Sequence, residues 1–440
     1  MTAELADLYP AHLAHLKALA DAALARCGKA ELLVPSGVER YAYLDDRSYP
    51  YFVNPQFKAW VPLTQHPGSW LRYRPGQTPV LIYHQPRDYW HAPPSPPEGY
   101  WVPHFDVRVI RTPDEALDHL PQDPAHCAIL GEAEWGLGAL QPNNPQQALD
   151  YLHFHRAAKT PYELAAMRIA SLKAARGHRA AEAAFRGGAS EHEIHLAYCA
   201  AVGHTDEQLP YSNIVALNEN GAVLHYHHTP GPAPAQPRSF LIDAGAQHLG
   251  YAADITRTYA AHAGRFADLI AAMDRLQLGL CAEVRAGRPY PDLHLACHAR
   301  LAQLLLDAGL AHGSPEALQA EGVTRTFFPH GLGHYLGLQV HDVGGFQASE
   351  SGGTIAKPEG HPYLRLTRTL APDQVLTVEP GLYFIPMLLD ELRRTRGGTL
   401  VDWPAVEALL PYGGIRIEDD VRVTTGEPEN LSRNAFAALG

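Results

Sequence analysis

Cysteine is scarce in this chain of 440 residues: the five, Cys27, Cys127, Cys199, Cys281 and Cys297, stand far apart and form no CxxC pair. Such usage argues against a disulfide framework and fits free thiols in a reducing cytoplasm. Long apolar runs are lacking as well. No stretch of about 18 apolar residues occurs, and the opening MTAELADLYPAHLAHLKALADAALARCG has no basic segment leading into an unbroken hydrophobic one, so neither a membrane span nor an export signal is expected. Positive charge is the third shortage: 35 Lys plus Arg stand against 47 Asp plus Glu, a formal charge of -12, and no basic cluster could follow a phosphate backbone. Nucleic acid is therefore not an expected partner. What is present, 46% hydrophobic and 19% charged residues, is the balance of a globular protein of two or three domains.

Leu5, Leu8, Leu13, Leu16, Leu19 and Leu24 are spaced for one helical face, which predicts a helix ending near Gly28. The strand-like ELLVPSG follows, and from Tyr41 to about Tyr100 apolar runs such as PVLIYH alternate with turns such as YRPGQTP. Residues 1–157 thus read as a small α/β domain. The stretch KTPYELAAMRIASLKAARGHRAAEAAF predicts a strong helix with Thr160 as N-cap, Pro161 at N1 and Glu163 closing a capping box. It opens a second domain, residues 158–440, where helical segments (Glu191 to Val202, Phe266 to Arg285, Pro291 to Ala308) are interleaved with strand-like runs, an α+β pattern. The Pro-rich TPGPAPAQP reads as a stiff connector.

Five runs of this second half, FLIDAG, AADITRT, PHGLGH, LTVEPG and GIRIEDD, carry Asp243, Asp254, His334, Glu379 and Glu418. Burying an unpaired carboxylate is prohibitive, so an acid on an inward strand face needs a cation, a proton or several donors. Four carboxylates with one imidazole and no matching lysines point to a site for two metal ions. The segment SFLIDAGAQHLGYAADITRT reads as a hairpin; a turn centred between His248 and Leu249 would set Asp243 directly opposite Asp254, with Cβ atoms roughly 4.5–5.5 Å apart. Taken alone, that segment also fits a Gly-rich turn with two exposed aspartates.

In FFPHGLGH, His330 and His334 are four apart, a metal pair if helical, but Gly331 and Gly333 favour a closely packed extended strand with both imidazoles on one face, leading on to His341. Val375, Thr377 and Glu379 share a face ahead of the Pro380-Gly381 turn signal. GIRIEDD sets Arg416 and Glu418 on one face, so Arg416 can orient a neighbouring ligand, although a surface Arg/Glu pair fits the segment in isolation. Hard oxygen donors with one imidazole favour Mn²⁺, Co²⁺ or Zn²⁺, and the absence of cysteine ligands argues against a structural zinc site. Two ions sharing carboxylates can hold a bridging water, lower its pKa and polarise a carbonyl, which makes hydrolysis the natural chemistry.

These segments, in this order, resemble the pita-bread metallopeptidases and among them the bacterial Xaa-Pro dipeptidases (prolidases). The likeness extends to AVLHYHH, YLGLQVHDVGGF and PYLRLTR, and in the N-terminal half to YLDDRSYPYFVNPQFKAW. The resemblance implies a small N-terminal α/β domain for dimerisation and site closure, followed by a pita-bread catalytic domain. It implies that Asp243, Asp254, His334, Glu379 and Glu418 hold two ions, commonly manganese, with Asp254 and Glu418 touching both or bridging while Asp243 completes one shell. His330 falls outside that ligand set and goes with the substrate. His225 in LHY and His341 in VHD are implied to contact substrate and the tetrahedral intermediate. Arg365 is implied to take the substrate's C-terminal carboxylate, a role suited to its planar fork. Tyr211 and Tyr290 match pocket aromatics that could wall a proline ring.

The implied reaction is hydrolysis of dipeptides with C-terminal proline by a metal-bridging hydroxide, with His341 helping to stabilise the oxyanion, Arg416 in support and Glu379 carrying a proton to the leaving nitrogen. A homodimer with Asp45 or Asp46 near the partner's pocket and a side activity on organophosphorus esters follow from the same resemblance. An aminopeptidase P-like enzyme acting on longer Xaa-Pro peptides is the nearest alternative, and Arg365 weighs against it. A catalytically silent binding module of the same fold would be expected to have lost ligands that this chain keeps.

Overall fold

The leucine-spaced N-terminal segment forms a helix over Thr2–Cys27 with Leu5, Leu13 and Leu24 buried, in a computed structural model that describes residues 2–90 and 92–440. The chain divides into two units. The first runs to Ala166 and takes in Leu249–Tyr251 and Gln347–Gly353; the second holds the remainder. Within the first, five strands form one mixed sheet in the order Asp106–Ile110, Val80–His84, Trp70–Tyr73, Glu31–Pro35, Cys127–Ile129, with parallel pairing at both edges and antiparallel pairing between. The capping box expected at Thr160 is present. Its amide donates to Glu163 Oε2 at 2.8 Å, Glu163 N donates back to Thr160 Oγ1 at 3.4 Å, and the helix runs over Pro161–Arg186.

In the second unit, helices Glu191–Val202, Arg265–Cys281 and Tyr290–Asp307 match the expected segments, the middle one stopping at Cys281. An antiparallel sheet orders Thr256–Ala260, Ser239–Asp243 and Ile214–Leu217. Strand alternation divides its faces. Phe240, Ile242, Val215 and Ile255 pack on Ala170, Ala174, Ile194 and Tyr198 of two helices, while Asp243, Asp254 and Thr256 fall on the other face. Burying each large apolar side chain stabilises this layer by roughly 1.5–3 kcal/mol. The mixture of helices and sheets is the α+β class expected.

The hairpin register differs from expectation. Asp243 pairs with Thr256, not with Asp254, and the ladder continues through Ala244 N to Ile255 O (3.0 Å) and Ala253 N to Ala246 O (2.9 Å). The turn is centred on Leu249 (φ 54°) and Gly250 (φ 83°), one position later than predicted. A one-residue move of the centre shifts the pairing by two, so side chains keep their faces and Asp254 becomes the diagonal neighbour of Asp243.

The runs around Glu379 and Glu418 also differ from single strands. Val375–Val378 pairs with Asp419–Arg422, and Gly381–Tyr383 pairs with Gly414–Arg416, in two antiparallel ribbons sharing one register. Between them the ladder opens at Glu379-Pro380 and Ile417-Glu418, where Pro380 has no N–H to give. Glu379 and Glu418 face one another across that gap. The PHGLGH run lies along the free edge of Val375–Val378: Thr377 N donates to His334 O at 2.9 Å and Glu379 N to Leu332 O at 2.8 Å. Its glycines follow from that closeness, because a Cβ on Gly333 would overlap the Thr377 carbonyl and the Tyr290 hydroxyl. No helix among the described residues is long and apolar enough to cross a membrane, and all five cysteines are free thiols.

Candidate metal centre

The opened ribbons, the hairpin and the glycine-rich edge bring Asp243, Asp254, His334, Glu379 and Glu418 together. His334 Nε2 lies 3.5 Å from Asp254 Oδ2 and 3.6 Å from Glu379 Oε1, beyond good hydrogen-bonding distance from either. Its Nδ1 is 2.9 Å from the Tyr335 carbonyl, which can only accept, so Nδ1 carries the proton and the Nε2 lone pair is turned toward the acids. Asp254, His334 and Glu418 each offer a donor atom within 4.8 Å of the others, and all three are buried. This donor set fits a hard divalent cation.

Electrostatics point the same way. Burial, with Asp254 and Asp243 beside it, raises the Glu379 carboxyl to about 7 despite His334 and Arg416. Burial and the acids Asp254, Glu379 and Asp243 raise Glu418 well above the carboxylate range, and burial raises Asp243 although Arg416 opposes it. Burial also resists ionisation of Asp254, but the neighbouring His334 and the Tyr211 hydroxyl outweigh it and hold its pKa low. One guanidinium and one imidazole do not balance four carboxyl groups, two of them buried and two half-buried.

Arg416 makes contacts on three sides. Its Nη2 donates to Asp243 Oδ2 at 2.7 Å, Nε to Thr256 Oγ1 at 3.1 Å and Nη1 to the Tyr383 hydroxyl at 2.8 Å. Thr256 in turn donates to Glu418 Oε2 at 2.6 Å. Thr256, Tyr383 and Asp420 were not singled out from the sequence. Alternation along AADITRT puts Thr256 on the face of Asp254 and was the available signal; Asp420, which receives the Asp254 amide at 3.2 Å, looked like one more acid in a run.

The residues expected on the substrate side divide. His330 Nε2 meets the Tyr383 hydroxyl at 2.8 Å and its Nδ1 lies 3.7 Å from Glu379 Oε2, so it borders the acids without joining them. Exposed His341 stacks edge-on against His334 with centroids 4.2 Å apart. His225 is exposed; burial depresses the pKa of both His330 and His341 and His225 adds to it, which places His225 near them. Arg365 is exposed, with no carboxylate partner among the described residues. Tyr211 does more than wall a pocket: its hydroxyl lies 2.8 Å from Asp243 Oδ1 and 2.5 Å from Asp254 Oδ1. Tyr290 is a correction. It is fully buried and donates to the Thr377 carbonyl at 3.0 Å, so it braces the strand behind His334 and has no surface to offer a proline ring.

Residues 7–154 match the Xaa-Pro dipeptidase N-terminal domain, and residues 165–425 match metallopeptidase family M24. The chain is 59% identical over 434 residues, 98% of each chain, to the Xaa-Pro dipeptidase of Xanthomonas oryzae pv. oryzae. It is 56% identical over 432 residues, again 98% of each, to that of Stenotrophomonas maltophilia. Among solved structures it is similar to Zn-substituted Escherichia coli aminopeptidase P in complex with product (TM-score 0.71, 23% identity, 99% of both chains). The Pseudomonas aeruginosa aminopeptidase PepP gives a TM-score of 0.70 at 24% identity over 97% of this chain and 98% of that one. At such identities the likeness to these structures is one of fold.

Proposed function

This chain belongs to metallopeptidase family M24, with the N-terminal domain of the Xaa-Pro dipeptidases, and from that membership we propose that it hydrolyses dipeptides whose second residue is proline. The observation that carries the reading is the gathering of Asp254, Glu379 and Glu418 around the Nε2 of His334, with Asp243 joined to Asp254 through the Tyr211 hydroxyl. Asp243, Asp254, His334, Glu379 and Glu418 would hold two divalent ions, with manganese the first to test and cobalt or zinc the alternatives. Ions bound there would supply a Lewis acid for the scissile carbonyl and lower the pKa of an attacking water.

The remaining steps belong to the chain's own groups. Glu379, set among the acids and ahead of the Pro380 turn, is placed to take a proton and pass it to the proline nitrogen as the bond breaks. Arg416 holds Asp243 in place and opposes the burial that disfavours its charge. His341 and His225 offer N–H groups to the carbonyl oxygen as it gains charge. Arg365 offers its fork to the dipeptide carboxylate, which selects two-residue substrates. Tyr211 steadies the two aspartates.

We assign residues 1–157 to dimerisation and site closure and 158–440 to catalysis. The exposed Tyr43, Leu44, Tyr49 and Phe52 support a homodimer interface, with Asp45 or Asp46 near the partner's pocket; a fully active monomer by light scattering would overturn it. Free cysteines support a reducing, cytoplasmic setting. A weak side activity on phosphotriesters fits the same site, because a tetrahedral phosphorus centre with one P=O can sit where the scissile carbonyl sits. Loss of both activities in Asp254→Asn is its test.

The main test is release of the N-terminal residue from Gly-Pro, Ala-Pro, Leu-Pro and Ala-Pro-Gly by metal-stripped protein reloaded with Mn²⁺, Co²⁺ or Zn²⁺. Dipeptides cleaved only after reloading are expected. Equal cleavage of Ala-Pro-Gly would replace the dipeptidase reading with that of an aminopeptidase P-like enzyme.

A further inference from the structure

His294 and His298 lie one turn apart on the helix Tyr290–Asp307, and His361 from a later loop closes on them, with ring centroids 4.6–4.8 Å apart. None belongs to the carboxylate site. His294 is 1% and His298 2% exposed. One hydrogen bond joins two of the three rings, between His294 Nε2 and His361 Nδ1 at 2.8 Å. His294 Nδ1 and both nitrogens of His298 are buried without a hydrogen-bond partner. Buried polar atoms are nearly always satisfied, so three orphaned nitrogens in one cluster need an explanation.

We propose that His294, His298 and His361 form a second metal site, for a divalent ion of the zinc class, with a fourth position open to a neighbouring cavity. Each ring can present one nitrogen within 4.8 Å of the other two. A tetrahedral zinc with Zn–N of about 2.0–2.1 Å needs nitrogens ~3.3 Å apart, within reach of small rotations of the rings. The donors are neutral imidazoles without oxygen, a set that suits Zn²⁺, Cu²⁺ or Ni²⁺ better than Mn²⁺ and so differs in preference from the carboxylate site. His294 and His361 line a cavity of about 400 Å³, which leaves room for water or an anion as the fourth ligand. Arg325 lines it too and opposes a cation, but it directs Nη1 to the Gln319 carbonyl, and Glu321 and Glu391 on the same wall offset it. His330 lines this cavity as well, which sets the second site beside the first without sharing a ligand.

The proposal is independent of the reaction assigned above and is tested by metal content. Metal-stripped full-length protein is equilibrated with Zn²⁺, passed through gel filtration and assayed by atomic emission, alongside His298→Leu and His361→Gln. Each variant is expected to bind one zinc fewer than wild type, or to bind that zinc at least tenfold more weakly. His298→Leu should fold, since leucine removes the orphaned nitrogens from an apolar setting, and half-exposed His361 gives a second variant if it does not. In Asp254→Asn/Glu418→Gln protein, X-ray absorption should show the remaining zinc with a mainly imidazole shell. Zinc content unchanged in both histidine variants, or an oxygen-dominated shell, would overturn the site.

Discussion

Glu418 and Asp419 are neighbours in sequence, both almost wholly buried, and they meet opposite fates. Asp419 is surrounded by donors: Arg257 Nη2 and Arg433 Nε at 2.7 Å, Asn430 at 2.9 Å and Gln277 at 3.0 Å. Burial opposes its charge, the two arginines overcome it, and its pKa falls well below the carboxylate range. Glu418 faces the other way, toward Asp254, Glu379 and Asp243, and its pKa rises. A buried acid with its counter-charge built in holds the fold, whereas buried acids that lack one make a place for a cation. GIRIEDD contains both kinds side by side, and alternation sends them to opposite sides.

The widest separation between the two sides should come from paired substitutions. Glu379→Gln is expected to lower kcat by about 10²–10⁴-fold, the range for loss of a proton-transferring group, while leaving the melting temperature of metal-free protein unchanged or higher. Asp419→Asn should do the reverse, costing roughly 3–5 kcal/mol of stability by removing the buried charge that two half-buried arginines share. Kinetics and thermal melts on both variants suffice. Activity near wild type in Glu379→Gln would remove that residue from the chemistry, and a fully stable Asp419→Asn would remove the contrast.

Acidity gives the next test. In chelated protein the Glu379 carboxyl titrates at about 7, above its unfolded range, so the folded state binds the extra proton. Its stabilising effect is complete below the unfolded pKa and is lost as pH rises through the folded one, from about 4.5 to 7. Glu379→Gln has no such dependence at this position. The variant should therefore melt near wild type at pH 5 and above it at pH 8 when both are chelated; a constant difference would show that Glu379 does not titrate in that window.

Much of this contrast could be read in the sequence, and the failures have physical causes. Helix periodicity and the Thr160–Glu163 capping box were legible because they are local. The hairpin was legible but its register was not, since a leucine at φ 54° gives no sign of itself. The gap between Glu379 and Glu418 was hidden by two ribbons continuing one register across it. Tyr290 looked like a pocket aromatic because sequence does not reveal which side of Gly333 it fills. A helical i, i+4 histidine pair, which the glycines of PHGLGH argue against there, occurs at His294 and His298 and was not singled out from the sequence.

Arg365 extends the comparison to cations. Arg257, Arg416 and Arg433 each hold a buried acid, while Arg365 is exposed and faces none. If a substrate carboxylate is its partner, Arg365→Lys should raise KM for Ala-Pro about tenfold with kcat little changed, because a point charge replaces a bidentate fork. Ala-Pro-amide should be a poor substrate for wild type and equally poor for the variant. Equal cleavage of the amide and the acid by wild type would show that Arg365 does not read the carboxylate.

The smallest effect is expected at Tyr383, whose hydroxyl stands between Arg416 Nη1 and His330 Nε2, 2.8 Å from each. It touches the acids only through Arg416. Tyr383→Phe leaves that guanidinium bound to Asp243 and Thr256, so a single hydrogen bond is lost at each end, worth about 1 kcal/mol. A few-fold fall in kcat/KM is expected, with manganese content unchanged. His330 should register the loss more clearly than the acids do: burial holds its pKa near 3, and freeing its Nε2 should move its NMR titration without moving that of Glu379. If kcat instead falls as far as in Glu379→Gln, the hydroxyl takes part in the chemistry itself, and the line between positioning groups and reacting ones must be redrawn to include it.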